Sequence, residues 1–338
     1  MNKIDFVLLW VDDNDLNWRK EKNFYQGKKD DQSMGENRFR DWENLKYWFR
    51  GVEKYAPWVN NIYFITYGHL PSWLNVKHPK LKIINHKDYI PENYLPTFNS
   101  NVIELNLNRI NELSEKFVLF NDDMFLINNV VENDFFENNL PKYECVEDVI
   151  MGWGVNDSFS HTLLNNMDII NRHFNKNEVI KNDFFKHFNL KYGKSNIRTF
   201  LLYLYKRFTG NKFCSFVNYH LPMPHLKSTF DEVWEKETKI LSNVCFNKFR
   251  MNADVSHWVF QYWNMCKNNF APTCYKKIGN YFEISNTSVK DITECIKKQK
   301  LKMICINDTV ENFDFNKMKE QLNTAFEEIL PEKSNFEI

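Results

Sequence analysis

Four short apolar runs, each followed by polar residues, mark the first 120 positions of the chain. They are IDFVLLWV (4–11), NIYFITY (61–67), LKIIN (81–85) and KFVLF (116–120). Because the apolar residues are nearly continuous rather than alternating, the pattern is typical of strands that are covered on both faces. We therefore predict four buried strands.

Helical spacing of apolar residues fills two intervals between these runs. Residues 41–55 predict a helix behind a candidate cap at Asp41. Residues 101–114 predict a second helix behind a candidate cap at Ser100. The spacing is carried by Leu45, Trp48, Phe49 and Val52 in the first helix and by Ile103, Leu107 and Ile110 in the second. Strands that alternate with helices form a mostly parallel sheet, so the predicted fold class is α/β.

The second half of the chain has a different character, because from about residue 140 to about residue 270 the pattern is chiefly helical. A short strand is predicted at 302–307 (KMICIN) and a last helix near 314–329. The polar stretch 22–40 lacks periodicity and predicts a mobile loop beside the sheet. We expect the second half to pack on the sheet as a helical cap.

Composition narrows the class of protein. The 338 residues are 43% hydrophobic and 16% aromatic, enough for a substantial core, and their formal net charge is zero, so a nucleic-acid partner is not expected. No apolar run reaches the roughly 20 residues of a membrane span, and the N-terminus does not fit a signal peptide. The seven cysteines form no CxxC pair. We expect a cytoplasmic protein with reduced thiols.

Acidic residues follow two of the predicted strands. FVLLWVDDND delivers Asp12, Asp13 and Asp15, and FVLFNDD delivers Asp122 and Asp123. Ligands of open α/β sheets bind beyond the carboxyl ends of the strands, although Asn and Asp are also ordinary turn formers. Two acidic clusters at one edge of the sheet would repel each other unless a divalent metal, Arg or Lys neutralised them. The presence of both clusters therefore favours a binding site over the interpretation as two ordinary turns.

Long stretches of the chain resemble the Stealth family of hexose-1-phosphate transferases, which includes bacterial capsule phosphotransferases and the animal enzyme that tags lysosomal glycoproteins. IDFVLLWVDDND, RFRDWENLKYWFRGVEKYAPWVNNIYFITYGHLPSWL and LPTFNSNVIELNLNRINELSEKFVLFNDDMF resemble the family's regions one and two. HLPMPHLKSTFDEVWE (220–235) and FRMNADVSHWVFQYW (249–263) resemble regions three and four, and LPEKSNFE (330–337) resembles the family's ending. The chain departs from the family at Asp13, where Gly is usual, and at Asn108, where His is common.

The resemblance implies a Rossmann-like core that uses a divalent metal, Mg²⁺ or Mn²⁺. It implies transfer of a sugar 1-phosphate from a nucleotide sugar, expected to be a UDP-hexose or UDP-N-acetylhexosamine, to a glycan hydroxyl. The products would be phosphodiester-linked capsular polysaccharide and a nucleoside monophosphate. Peripheral association with membrane-bound capsule machinery, at the inner face of the membrane, is a further expectation. The expected units are a nucleotide-sugar-binding core at 1–140, a helical cap with the catalytic His and Arg at 141–275, and a strand and helix at 276–338 that pack back on the core.

The resemblance implies chemical roles for four residues. Asp122 and Asp123 are the expected metal ligands, since a hard cation on pyrophosphate takes carboxylates. His220 begins HLPMPH, where Pro222 and Pro224 restrict the backbone, and it is expected to take the acceptor proton. Arg250 suits neutralisation of phosphate charge, with a surface salt bridge to Asp254 as its structural alternative.

The other candidates for substrate contact are Asp12, Asp15, Arg40, Arg50, Asn99, Ser100, Glu104 and Asn121. Asp12 and Asp15 either line the nucleotide side or cap a turn. Ser100 also reads as a plain helix cap, and His225 reads as structural. The stretch 191–208 either packs as a cap helix or lies on a membrane surface.

Two other functions are compatible with these residues. A metal-dependent glycosyltransferase would use the NDD cluster and release a nucleoside diphosphate. An inactive glycan-binding scaffold should have lost a reactive group, and the joint presence of Asp123, His220 and Arg250 argues against it.

Overall fold

The computed structural model describes residues 3–27, 41–152, 157–205, 210–308 and 314–338. Its strands are β1 (Ile4–Leu9), β2 (Ile62–Thr66), β3 (Leu81–Asn85), β4 (Lys116–Phe120), β5 (Met124–Leu126), β6 (Phe136–Glu137), β7 (Leu140–Tyr143), β8 (Met223–Leu226), β9 (Ala271–Pro272), β10 (Gly279–Glu283) and β11 (Met303–Asn307). Its helices are α1 (Leu16–Gln26), α2 (Leu45–Tyr55), α3 (Ser100–Leu105), α4 (Glu132–Phe135), α5 (Ser158–His173), α6 (Lys176–Asn182), α7 (Phe184–His187), α8 (Ser195–Leu204), α9 (Lys227–Cys245), α10 (Trp258–Cys266), α11 (Val289–Lys298) and α12 (Phe315–Ile329).

The central sheet has the strand order β3-β2-β1-β4-β8. Its first four strands are mutually parallel, and β8 runs antiparallel to β4. The register sets Phe6 beside Ile62 on one side and beside Val118 on the other. All four apolar runs of the first 120 positions form strands of this sheet, which confirms the predicted mostly parallel α/β core.

Both faces of the sheet are covered. Phe6 and Leu8 belong to one core cluster together with Trp48 of α2, whereas Val7 belongs to a second cluster with Val259 of α10. Because successive side chains of a strand point to opposite faces, one continuous apolar run supplies both cores. Helices α5, α9 and α10 contribute to the second cluster, so the helical cap is confirmed as well.

The predicted helix 41–55 begins later than expected. α2 starts at Leu45, and the Asp41 carboxylate is not its cap, because it accepts the backbone N–H of Glu43 at 2.8 Å in a tight turn. The predicted loop 22–40 is also partly wrong, since α1 continues to Gln26. Residues 28–40 of that stretch, including the candidate Arg40, lie outside the described residues.

The predicted helix 101–114 is shorter than its apolar spacing suggests, because α3 ends at Leu105. The side chain of Asn106 donates to the carbonyl of Val102 at 2.8 Å, and the chain continues as a 3-10 turn over Leu107–Arg109. A side-chain amide that competes for backbone groups in this way favours the end of a helix.

The last part of the chain forms a second, three-stranded sheet with β5, in the order β10-β11-β5. β11 pairs with β10 in parallel and with β5 in antiparallel, with Met303 opposite Leu126. Tyr47 of α2 stacks on Phe326 of α12, with ring centroids 5.4 Å apart. The predicted strand and last helix are therefore present and attached to the core. Among the described residues, no helix combines the length and apolar character that a membrane span requires.

Candidate active site

The turn after β4 carries the acidic cluster to the edge of the sheet. The backbone N–H of Met124 donates to the carbonyl of Asn121 at 3.1 Å, so Asp122 and Asp123 occupy a tight turn between β4 and β5. Nε2 of His220 lies 3.4 Å from Oδ2 of Asp123. The other oxygen of Asp123, Oδ1, is buried without a hydrogen-bond partner in the described part of the chain. The structure thus brings two of the three predicted catalytic residues together.

Cys305 is a neighbour of Asp123 that the sequence did not point to. Its Sγ lies on β11 and donates to Oδ2 of Asp123 at 3.2 Å. Burial raises the pKa of the thiol, and the negative charge of Asp123 raises it further, so Cys305 remains protonated. In the sequence it is one apolar position of KMICIN, and only the antiparallel pairing of β11 with β5 places it here.

His220 precedes β8 on a partly buried loop. Burial lowers the pKa of its imidazole, but the negative charges of Asp123 and Glu104 outweigh that effect and leave the pKa above its ordinary value. The positive charge of Arg250 acts against this rise in pKa. Because the charges of Glu104 and Arg250 both affect the pKa of His220, these two residues lie within electrostatic range of the imidazole.

Arg250 contacts the first residue of α3. Its Nη2 donates to Oγ of Ser100 at 2.6 Å. The cap of this helix is Asn99 rather than Ser100, because Oδ1 of Asn99 accepts the backbone N–H of Asn101 at 3.1 Å. The hydroxyl of Ser100 is therefore not used for capping and orients the guanidinium of Arg250 instead.

Asp254 joins the start of α3 to the loop that carries Arg250. Its buried carboxylate accepts from the side chains of Asn99 at 2.7 Å, Asn101 at 3.2 Å and Asn247 at 2.8 Å, and from the backbone N–H of Met251 at 3.0 Å. The alternative in which Asp254 pairs with Arg250 on a helix surface is therefore wrong. Its spacing from Arg250 suggested only that pair, and no local pattern indicated that it would tie two distant segments together.

Glu104 is buried beneath these groups. Burial raises its pKa to about 7, although Arg250 and His220 both oppose the rise. An ordinary glutamate has a pKa of 4.5, so the folded protein keeps this proton over a range in which the unfolded chain has lost it. As the pH rises from 4.5 towards 7, the folded state loses stability, and the loss persists above that range.

Glu104→Gln should therefore stabilise the protein at pH 8 and leave it nearly unchanged at pH 4.5. The expected gain in the free energy of unfolding at pH 8 is up to about 3 kcal/mol. Urea unfolding at both pH values measures it, with the exposed Glu332→Gln as the control that should shift neither curve. Equal destabilisation of the Glu104 variant at both pH values would mean that a hydrogen bond, not a buried proton, governs this position.

Asp12 and Asp15 organise the turn after β1. Asp15 is the N-cap of α1, with Oδ1 accepting the backbone N–H of Asn17 at 2.8 Å and that of Trp18 at 3.2 Å. His69 joins the two, because its Nε2 accepts the N–H of Asp12 at 2.8 Å and its Nδ1 lies 3.2 Å from Oδ2 of Asp15. These bonds favour the turn interpretation of both aspartates.

Arg50 does not face the acidic cluster. Its Nε and Nη2 donate to the two carboxylate oxygens of Glu337 at 2.8 and 3.0 Å. Its Nη1 donates to Glu327 at 3.1 Å and to the carbonyl of Leu330 at 2.8 Å. With these bonds, this buried guanidinium fastens the C-terminal segment to α2, and we assign it a structural role.

The donor set at the edge of the sheet suits a hard divalent cation. Asp122 keeps a solvent-accessible side chain, and the negative charge of the neighbouring Asp123 raises its pKa, so a cation here would favour its ionised form. The unpartnered Oδ1 of Asp123 offers a second oxygen. Asp123, His220 and Cys305 place ligand atoms within 4.8 Å of one another, but a protonated thiol is a poor metal ligand. The carboxylate oxygens of Asp122 and Asp123 are therefore the donors that suit a hard divalent cation at this site.

A parallel α/β sheet with carboxylate, imidazole and guanidinium groups beyond its strand ends has the architecture of a ligand-binding α/β enzyme. The chain matches the family models Stealth protein CR1, conserved region 1, over residues 2–30 and Stealth protein CR2, conserved region 2, over residues 38–143. The chain belongs to the Stealth family.

Full-length relatives support this membership. A capsular polysaccharide phosphotransferase WcwK of Streptococcus pneumoniae is 45% identical, covering 100% of this chain and 99% of that one. The receptor polysaccharide phosphotransferase WefC of Streptococcus gordonii is 40% identical, with 100% of both chains covered. The exopolysaccharide phosphotransferase cps2G of Lactiplantibacillus plantarum is 40% identical, covering 99% and 96%.

Proposed function

We propose that this protein transfers a sugar 1-phosphate from a nucleotide sugar to a glycan hydroxyl during the synthesis of a phosphodiester-linked capsular polysaccharide. The observation that supports this most directly is the pairing of His220 with Asp123 within electrostatic range of Arg250. Phosphoryl transfer needs positioning, a proton acceptor and positive charge near the phosphate oxygens, and this group of side chains supplies each of them.

His220 is the proposed proton acceptor. Its Nε2 faces the Asp123 carboxylate, so the neutral imidazole carries its proton on Nε2 and leaves Nδ1 free to take the proton of the acceptor hydroxyl. The acceptor oxygen then bonds to the phosphorus next to the sugar. The bond from that phosphorus to the bridging oxygen of the pyrophosphate breaks, and a nucleoside monophosphate departs.

Arg250 is the proposed stabiliser of negative charge on the transferred phosphate. Ser100 fixes one guanidinium nitrogen, and the Asp254 network fixes the loop that carries the arginine. A preorganised cation at this point lowers the barrier because it need not be reoriented as charge develops.

A divalent metal, Mg²⁺ or Mn²⁺, is part of the proposal, with Asp122 and Asp123 as its ligands. Bound there, it would neutralise charge on the pyrophosphate. We assign the donor as a UDP-hexose or UDP-N-acetylhexosamine, and the acceptor as a glycan held at the inner face of the membrane, where the protein associates peripherally with the capsule machinery.

The released nucleotide tests this function. Purified protein with Mg²⁺, a panel of UDP-sugars and an acceptor oligosaccharide should release UMP and form a product whose phosphorus NMR signal is that of a diester. Addition of EDTA should stop both, and Mn²⁺ or Mg²⁺ should restore them. Release of UDP with a phosphorus-free product would establish a glycosyltransferase instead, and full activity after chelation would refute the metal.

A further inference from the structure

Helix α8 presents an apolar stripe to water. Ile197, Phe200, Leu201 and Leu204 recur at i, i+3, i+4 and i+7, the spacing that normally faces a core. Here all four are exposed, Ile197 by 62% and Leu204 by 57%. A packed cap helix would have buried this stripe, so the packing alternative for 191–208 does not account for it.

The opposite face of α8 anchors the helix to the protein. Thr199 is buried, and its Oγ1 accepts the backbone N–H of Glu147 at 3.1 Å. Thr199 lies two residues from Ile197 and from Leu201, roughly half a turn away on a helix. The apolar stripe therefore points outward because the helix is fixed by its other side.

The preceding segment extends the apolar surface. Leu190 is 95% exposed, and Phe185 of α7 is also largely exposed. Phe188 lies between α7 and α8, since its ring centroid is 4.6 Å from that of Phe184 and 6.3 Å from that of Phe200. The aromatic residues of α7 therefore continue the apolar stripe of α8, and an exposed apolar surface of this kind marks a site of association.

Positive charge accompanies the apolar residues. From position 183 to position 205 there are four Lys or Arg residues and one Asp, an excess of three positive charges in a chain whose net charge is zero. Arg198 pairs with Asp148 at 2.8 Å, Lys186 with Asp183 at 3.4 Å and Lys191 with Glu137 at 3.9 Å. All three pairs are partly exposed, where ion pairs are weak and exchange readily with other anions. An anionic surface can therefore take the place of these carboxylates.

We propose that this face, composed of Phe185, Leu190, Ile197, Phe200, Leu201 and Leu204, docks the protein on a bilayer of anionic lipids. Exposed Leu, Ile and Phe side chains insert at the level of the headgroups, while Lys194 and Arg198 at one border of the stripe contact lipid phosphates. Attachment through side chains that enter only the headgroup level is peripheral. The docking face is thus the surface responsible for the membrane association proposed above, and its binding to lipid does not depend on the reaction catalysed.

Vesicle binding by the full chain tests the docking face. The wild type should co-sediment with vesicles of phosphatidylglycerol and phosphatidylcholine, and more weakly with phosphatidylcholine alone or at high salt. The double substitution Ile197→Ser and Leu204→Ser should weaken binding at least about tenfold. Lys194→Glu should weaken binding only to the anionic vesicles.

The matched control is Val76→Ser with Val131→Ser, two similarly exposed apolar side chains elsewhere, which should bind vesicles like the wild type. Transfer to a soluble acceptor should be unchanged in the Ile197/Leu204 variant, so a failure of the docking face is separable from a failure of the proposed reaction. Equal vesicle binding by this variant overturns the proposal. A wild-type dimer that this variant abolishes, without vesicle binding, would assign the face to a second copy of the chain.

Discussion

Asp123→Asn should lower kcat/KM for sugar-phosphate transfer by about 10²- to 10³-fold. The substitution keeps the shape of the side chain but removes the charge that faces Nε2 of His220 and the proposed metal ligand Oδ1. Cys305 can still donate to the amide oxygen, so the local packing should survive. The loss should therefore appear in activity rather than in folding.

Steady-state kinetics with whichever UDP-sugar of the panel supports UMP release, together with thermal melting, measure this prediction. Asp168→Asn makes the same chemical change at an exposed position of α5 and should alter neither quantity. If the Asp123 variant melts like the wild type and also keeps near-normal kcat/KM, Asp123 has no part in catalysis, and the proposed location of the active site is wrong.

Arg250→Ala should also lose about 10²- to 10³-fold in kcat/KM, with a melting temperature near that of the wild type. The guanidinium donates to the hydroxyl of Ser100, and the hydrogen bonds to Asp254 come from other residues. Arg250→Lys should recover only part of the activity, since a point charge does not replace a planar, bidentate donor.

Arg50 is the matched control for Arg250. Arg50→Ala removes the partner of the buried Glu337 and should cost about 3–5 kcal/mol of stability, while protein that remains folded keeps its kcat/KM. Chemical denaturation and active-site-normalised kinetics separate the two outcomes. A catalytic defect in folded Arg50→Ala, or a comparable loss of stability in Arg250→Ala, would reverse the roles assigned to these arginines.

Local sequence patterns predicted the strands of the central sheet well. Runs such as FVLF (117–120) are apolar throughout because both faces of the sheet are covered, and consecutive residues must therefore all be apolar. The placement of acids after the strands follows from the same logic, since charged side chains are accommodated most easily where the chain leaves the core. The helix bounds were predicted less well, because Asn99 rather than Ser100 caps α3 and the side chain of Asn106 takes a backbone carbonyl at its other end.

The sequence by itself determined the α/β core, the helical second half, the acidic strand ends and, through resemblance, the family. The tertiary structure alone decided that Cys305 donates to Asp123, that Asp254 joins α3 to the loop of Arg250, and that the stripe of α8 faces outward. The physical reason is the range of the interactions. Strand and helix patterns arise between residues a few positions apart. The contacts of Cys305 and Asp254, and the orientation of α8, depend on segments that are distant in the sequence, and no local pattern in one segment indicates the other.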